Sequence, residues 1–185
     1  IVALVMLNIL ENFDLKKFDP TGPERFHLVL EAARLAYAVR DSHIAEPSFM
    51  RVKVPDLLDK AFGKKLASLV DMNKRAQLPA APTPGSDTVY LSVVDRDRMA
   101  VSFIYSIFHG FGSGIASEKF GILLQNRGAG FTLQEGHPNE MAGGNRPMHT
   151  IIPAMLTKGD RAVMPFGVMG GQYQACGHAH VLTGF

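Results

Sequence analysis

The first 72 residues repeat apolar positions at the spacing of α-helices. Apolar residues three or four positions apart predict a helix at the start of the chain: Val2, Val5, Met6, Ile9 and Leu10. A long apolar stripe predicts a second helix over residues 24–43. A third helix is expected over residues 55–71, with Gly63 as a candidate break. The first part of the chain is therefore predicted to be mostly helical.

The pattern changes after residues 73–87, which hold three prolines and predict a linker or an exposed loop. Residues 88–95 and 99–108 are rich in β-branched and aromatic side chains and predict a hairpin. The sequence also predicts a strand over residues 121–126, a second hairpin over 150–157 and 161–168, and a helix after Gly170 and Gly171. Fifteen of the 18 glycines lie from Gly110 onward, where tight turns are expected to join the strands.

Composition and charge exclude several classes of protein. The chain has 185 residues, of which 46% are hydrophobic and 19% charged, so it is expected to build a globular core. The net charge is +2 with no basic block, so no nucleic-acid partner is predicted. Cys176 is the single cysteine and cannot form an internal disulfide. The apolar run at the start is too short for a membrane span.

Both ends of the sequence lie inside apolar segments, and the first residue is Ile1 rather than methionine. We therefore expect the chain to be a fragment of a longer polypeptide, and the sequence indicates no compartment. The glycine motif at residues 110–114 lacks the lysine of a phosphate-binding loop, which favours a structural turn. His178 and His180 are two positions apart, so on a helix they face different sides, which argues against a metal site.

Two positions carry candidate chemistry. Gly170 and Gly171 end a predicted strand before a helix, so their backbone N–H groups could form an oxyanion hole or a plain turn. Thr88 begins a strand directly after the linker. Cleavage after Asp87 would give Thr88 a free α-amine of pKa near ~7.7, suited to act as the base for its own hydroxyl. Such an enzyme would need no separate catalytic histidine.

Several motifs in the same order resemble the γ-glutamyltranspeptidase family of N-terminal-nucleophile hydrolases, specifically its cephalosporin-acylase-like and oxamate-amidohydrolase-like branch. They lie at residues 87–106, 111–115, 121–131, 145–156 and 166–172, and residues 6–15 and 31–41 resemble the end of the family's large subunit. The resemblance implies an α+β fold, part of a four-layer αββα sandwich. It also implies a precursor that cuts itself between Asp87 and Thr88. Residues 1–87 would then end the large subunit, and residues 88–185 would begin the small one.

The resemblance also implies roles for individual residues. Thr88 would be the nucleophile, Ser106 would hydrogen-bond it, and Gly170 and Gly171 would stabilise the oxyanion. The expected partners are a small-molecule amide substrate and the rest of the two subunits, which form a heterodimer after cleavage. No cofactor and no metal are implied.

Departures from the family pattern concern the substrate. Phe108, Arg127 and Gly130 stand where typical transpeptidases hold the glutamyl α-amine with Asn, Gln and Asp. His149 and Thr150 replace a pair of serines that hold the α-carboxylate. Arg127 disfavours a cationic amine and suits a neutral or anionic acyl group, although it could instead serve in a structural ion pair. The stretch 131–146 is also shorter than in bacterial transpeptidases, so no lid is expected over the site.

These observations predict a self-processing amidohydrolase or acyltransferase whose acyl group lacks the γ-glutamyl α-amine. One alternative is an authentic γ-glutamyltransferase or glutathione hydrolase. Another is a catalytically inert family member that acts as a structural or binding module.

Overall fold

The computed structural model describes residues 1–77 and 87–184. These residues form two compact units. The first unit contains the described residues of Ile1–Ala81, Thr132–Met148 and Ala175–Phe185, and the second contains those of Pro82–Phe131 and His149–Gln174. The two units are defined by contacts between residues, whereas the predicted subunit boundary is defined by the expected cleavage between residues 87 and 88. The assignment of residues 1–87 and 88–185 to two subunits therefore stays a prediction.

Helices build the first unit, as the apolar spacing predicts. They are α1 (Val2–Leu10), α2 (Pro23–His43), α3 (Val54–Leu57), α4 (Lys60–Ala67) and α5 (Gln174–Thr183), whose first residue belongs to the second unit. Helix α1 packs against α2 and α4. Their apolar faces supply a core of fully buried side chains, including Val5, Met6, Ile9, Leu28, Ala32 and Leu35. Burial of these side chains stabilises the helices more than their intrinsic propensity does.

The third predicted helix differs from the structure in two respects. It breaks between α3 and α4, before Lys60 and not at Gly63, and it ends at Ala67 instead of near Asp71. The Asp59 carboxylate caps α4 by accepting hydrogen bonds from Ala61 N at 2.7 Å and Phe62 N at 3.3 Å. Gly63 lies inside α4, where a Cβ atom would come within 2.8 Å of the Asn8 Cβ and carbonyl oxygen. The absence of a side chain at Gly63 therefore allows α4 to approach α1, and Gly63 does not end the helix.

The second unit contains the two predicted hairpins. Strand β1 (Asp87–Val94) pairs antiparallel with β2 (Ala100–Phe108), and β3 (Ala154–Lys158) pairs antiparallel with β4 (Arg161–Phe166). Residues 1–77 and 87–184 also contain three short 3₁₀ turns: Leu15–Lys17, Arg127–Gly130 and Gly171–Tyr173. The structure therefore confirms the mixed helix and sheet class, and among the described residues each sheet has two strands.

The strand predicted over residues 121–126 is absent from the described chain. Leu123 makes an isolated bridge with Ala116, and the Leu124 carbonyl accepts from Ser113 N at 2.9 Å. A Cβ atom on Gly112 would lie 2.3 Å from that carbonyl oxygen. The apolar run thus binds the glycine turn at residues 109–114 instead of a neighbouring strand, and that turn has a structural role. In residues 1–77 and 87–184, no helix has the length and apolar character of a membrane span.

Candidate active site

The β1–β2 hairpin places Thr88 directly opposite Ser106. Thr88 Oγ1 donates a hydrogen bond to Ser106 Oγ at 3.2 Å. Ser106 Oγ also accepts from the backbone N–H of Phe108 at 3.1 Å. Both side chains are half-buried. The predicted nucleophile and the residue predicted to bond it are therefore in contact, and the end of β2 is tied to the same oxygen.

The strand register shifts between Asp87 and Thr88, the two residues of the predicted scissile bond. Asp87 pairs with Phe108, whose φ of 78° lies in the left-handed region that a bulky residue rarely adopts. Bulges and strained residues of this kind recur beside reactive sites. The Asp87 side chain and the predicted linker residues 78–86 lie outside the described part of the chain.

Phe108, two residues after Ser106, is the centre of a small cluster of side chains. Its side chain is 5% exposed, and the Arg127 guanidinium lies over its ring with Cζ 5.5 Å from the ring centroid. The His109 ring stacks on Phe108 with a centroid separation of 4.5 Å. Burial lowers the pKa of the Arg127 guanidinium. Both of its terminal nitrogens are buried, and neither has a hydrogen-bond partner among the described residues. Within those residues Arg127 therefore lacks the structural ion pair that was its alternative role.

Gly170 and Gly171 follow β4 and both have positive φ, 117° and 54°. Gly171 is buried and begins the turn that leads into α5, whereas Gly170 is exposed. The strand before them is held against the hairpin. Tyr90, two residues after Thr88, packs its ring so close to Gly167 that a Cβ atom there would lie 2.4 Å from Tyr90 Cε2. This contact links the strand of the predicted nucleophile to the segment of the predicted oxyanion hole.

Two hydrogen bonds through Ser102 hold this link in place. Ser102 Oγ lies 3.0 Å from the Tyr90 hydroxyl and donates to the carbonyl of Phe166 at 3.3 Å. The two remaining predicted substrate residues, His149 and Thr150, lie in the irregular segment before β3. Thr150 is buried and His149 is exposed.

Sequence reasoning missed three residues of the site: His109 and Asn126 beside Phe108, and Tyr90 beside Gly167. Tyr90 carried a local signal, because alternate residues of a strand share a face and it lies two positions after Thr88. Asn126 contacts His109 although the two residues are 17 positions apart in the sequence, and no local sequence pattern predicts that contact. Within the described residues, no group of three or more His, Cys, Asp or Glu side chains could hold a metal ion.

Known proteins are similar to this chain over nearly its whole length. A model of the family described as gamma-glutamyltranspeptidase matches residues 1–185. The chain is 38% identical over 182 residues to the glutathione hydrolase-like YwrD proenzyme of Bacillus subtilis (strain 168), covering 98% of this chain and 34% of that protein. It is 39% identical over 183 residues to the oxamate amidohydrolase proenzyme of Klebsiella pneumoniae, covering 99% of this chain and 34% of that protein. The chain thus spans about a third of the length of these relatives.

A solved structure is similar over nearly the whole chain. The crystal structure of cephalosporin acylase from Bacillus halodurans matches with a TM-score of 0.84 and 39% sequence identity. The match covers 98% of this chain and 32% of that one. The backbone arrangement of both units is therefore similar to a segment of a larger acylase.

Proposed function

The chain belongs to the gamma-glutamyltranspeptidase family, and from that membership we propose that it forms the subunit junction of a self-processing amidohydrolase. Relatives of the chain are named as proenzymes. Cleavage between Asp87 and Thr88 assigns residues 1–87 to a large subunit and residues 88–185 to a small catalytic one. These two subunits form a heterodimer, and their strands build the four-layer αββα sandwich of N-terminal-nucleophile hydrolases.

The hydrogen bond between Thr88 Oγ1 and Ser106 Oγ carries this proposal. In self-cleavage, Thr88 Oγ1 attacks the carbonyl carbon of Asp87, an ester forms, the peptide C–N bond breaks and the nitrogen takes the hydroxyl proton. Water then hydrolyses the ester, which leaves a carboxylate on Asp87 and a free amine and hydroxyl on Thr88. The register shift at this bond and the positive φ of Phe108 support a backbone under strain at the point of cleavage.

The freed Thr88 then acts on an amide substrate. Its amine, with a pKa near ~7.7, takes the hydroxyl proton as Oγ1 attacks the substrate carbonyl. The backbone N–H groups of Gly170 and Gly171 stabilise the negative oxygen that forms; losing one such donor typically costs about 10²–10³ in rate. The C–N bond of the substrate amide breaks, and the leaving nitrogen takes the proton from the Thr88 ammonium. Water then hydrolyses the acyl ester on Thr88 Oγ1.

The acyl group in this proposal lacks the γ-glutamyl α-amine. The buried Arg127 guanidinium supports this, because it repels a cationic amine and no carboxylate among the described residues offsets it. Phe108 lines the same site beside Arg127. His149 and Thr150 remain proposed substrate contacts. A preference for γ-glutamyl-p-nitroanilide over amides without the α-amine would contradict this part of the proposal.

Intact-mass measurement of the full-length polypeptide tests the nucleophile. The natural protein is expected to yield two chains, one beginning at Thr88, and Thr88→Ala is expected to stay uncut and inactive. Ser92→Ala is a matched control, because Ser92 lies on the same strand and face, is exposed and is expected to be cut normally. A Thr88→Ala protein that is cut would refute the proposal. A natural protein that stays whole would instead favour an inert structural module.

A further inference from the structure

Three polar residues on one face of helix α2 hold the backbone that precedes the predicted linker. His27, Glu31 and Arg34 are four and three positions apart, so their side chains leave the same side of the helix. His27 Nε2 lies 2.9 Å from the carbonyl oxygen of Asp71, and because a carbonyl only accepts, the ring nitrogen donates. Glu31 and Arg34 both bond the backbone of Ala76. The chain before the linker is therefore fastened to α2 at two points.

Glu31, Arg34 and Ala76 form a closed set of hydrogen bonds, which we call the Ala76 clamp. Arg34 Nη1 donates to Glu31 Oε1 at 2.6 Å, and Arg34 Nη2 donates to the carbonyl oxygen of Ala76 at 2.6 Å. The second carboxylate oxygen, Glu31 Oε2, accepts from Ala76 N at 2.8 Å. Glu31 is only 3% exposed. Each charged group thus bonds both the other charged group and the backbone of the same residue.

Burial of side chains contributes little to holding the clamped segment. Residues 72–75 and Gln77 are exposed, and Asp71 and Ala76 are half-buried. A buried ion pair by itself adds little net stability, because taking two charges out of water offsets much of their attraction. The pair does supply direction, since carboxylate and guanidinium bond the N–H and the carbonyl of Ala76 at the same time. The geometry of the clamp is therefore suited to positioning a backbone.

The clamped residue lies shortly before the proposed cleavage. Ala76 is 11 positions before Asp87, and the residues between them include three prolines. Attack of one group of a chain on another is fast only when the two are held in a suitable geometry. Pairing of β1 with β2 holds the chain from Asp87 onward. The Ala76 clamp holds the same chain before the linker.

We propose that Glu31 and Arg34 are positioning residues for self-cleavage. By fixing Ala76 on α2, they limit the positions open to the chain that follows, so that the Asp87 carbonyl meets Thr88 Oγ1 more often. Neither side chain makes or breaks a bond, and the reacting atoms are those of the proposed function. The inference rests on that function, because it concerns its cleavage step.

Loss of the clamp lengthens the chain between the last anchor on α2 and the scissile bond. His27 still holds Asp71, which is 16 positions before Asp87 instead of 11. A flexible linker longer by that ratio closes about 2-fold less often. Loss of one hydrogen bond to a charged group corresponds to about 10-fold. Self-cleavage of Glu31→Ala and of Arg34→Ala is therefore expected to slow by about 2- to 10-fold.

Mass spectrometry of the full-length protein over time measures these cleavage rates, and urea unfolding of each variant measures its stability. Arg25→Gln is the matched control. Arg25 lies on the same helix, is 8% exposed and donates to the carbonyls of Leu15 and Thr183 instead of the segment before the linker. This control is expected to lose stability and still to cut itself at the natural rate. The double variant of Glu31 and Arg34 is expected to cut no more slowly than the slower single variant, because both residues act through one contact.

Hydrogen exchange of the Ala76 amide gives a readout that needs no cleavage. In the uncut Thr88→Ala protein this amide is expected to be protected, and adding Glu31→Ala is expected to speed its exchange by about 10-fold. Fast exchange in Thr88→Ala alone would overturn the clamp.

The cleavage rates separate this inference from the proposed function. Natural rates in Glu31→Ala and Arg34→Ala would overturn the positioning role and leave the proposed function intact. Equal slowing in Arg25→Gln would also overturn it, because the effect would then follow stability. A natural protein that stays whole would refute the proposed function and, with it, the role of the clamp in cleavage.

Discussion

Replacement of Gly167 by alanine tests the contact that joins the proposed nucleophile strand to the proposed oxyanion segment. The new Cβ atom would lie 2.4 Å from Tyr90 Cε2 and 2.5 Å from Tyr90 Cδ2, whereas carbon atoms in contact normally stay about 3.5–4.0 Å apart. The ring has little freedom to move, because its hydroxyl lies 3.0 Å from Ser102 Oγ. One side of the contact must therefore shift by about 1 Å.

Two magnitudes follow from that shift. Overpacking of this kind costs about 1–3 kcal/mol in the free energy of unfolding. Gly170 lies three residues after Gly167, so a displaced segment moves the proposed oxyanion donors as well. A misplacement of about 1 Å at a catalytic group can lower the rate by about 10²-fold. Gly167→Ala is therefore expected to lose stability and to lose activity in kcat more than in KM.

Urea unfolding and steady-state kinetics of the full-length protein measure the two effects. Gly143→Ala is the control, because nothing lies within 4 Å of a Cβ atom at Gly143. A second substitution, Tyr90→Leu, removes the ring and is expected to make Gly167→Ala less costly than it is in the natural background. Equal unfolding free energies of Gly167→Ala and Gly143→Ala, within about 0.5 kcal/mol, would refute the packing argument.

Two further predictions concern a hydrogen bond and a titration. Ser106→Ala removes the acceptor of the hydrogen bond from Thr88 Oγ1, so the rate of self-cleavage is expected to fall by about 10-fold. Ser106→Thr keeps a hydroxyl and should restore the rate. Mass spectrometry over time measures the cleavage rate of both variants. Burial raises the pKa of Glu31, but hydrogen bonds from Ala76 N and Arg34 outweigh burial and lower it. The lowered pKa stabilises the folded chain above the ordinary pKa of ~4.3, and this stabilisation is lost as the pH falls through the lower folded value. Urea unfolding should therefore show Glu31→Gln destabilised at neutral pH, and the difference should shrink as the pH falls below the ordinary pKa.

Local pattern predicted most of the regular structure. The spacing of apolar residues located α1 and α2 to within a few residues, and the β-branched runs located both hairpins. These elements form where their own residues prefer them, so neighbouring positions carry enough information. The order of motifs along the chain also indicated the family, which the family model confirms. The roles of the site residues stay predictions that the observed contacts support.

Tertiary contacts decided what local pattern could not. Gly63 lies inside α4 at a point where Asn8, 55 positions earlier, leaves no room for a side chain. Residues 121–126 form no strand because the Leu124 carbonyl bonds the turn at Ser113. Asn126 meets both the backbone N–H and the Nδ1 atom of His109, a residue 17 positions earlier. Each outcome depends on an atom that folding brings from a distant position, so the same residues in another fold would behave differently.

The sequence by itself therefore determined the helices, the hairpins and the residue types of the proposed chemistry: a threonine at a strand start, paired glycines and an arginine in place of an amide. Only the tertiary structure decided which of these groups meet. It tied Thr88 to Ser106, set the Arg127 guanidinium over Phe108 and left its two terminal nitrogens without hydrogen-bond partners in the described chain. The reason is that composition and spacing record the chemistry of a side chain, whereas burial and hydrogen bonding depend on what surrounds it.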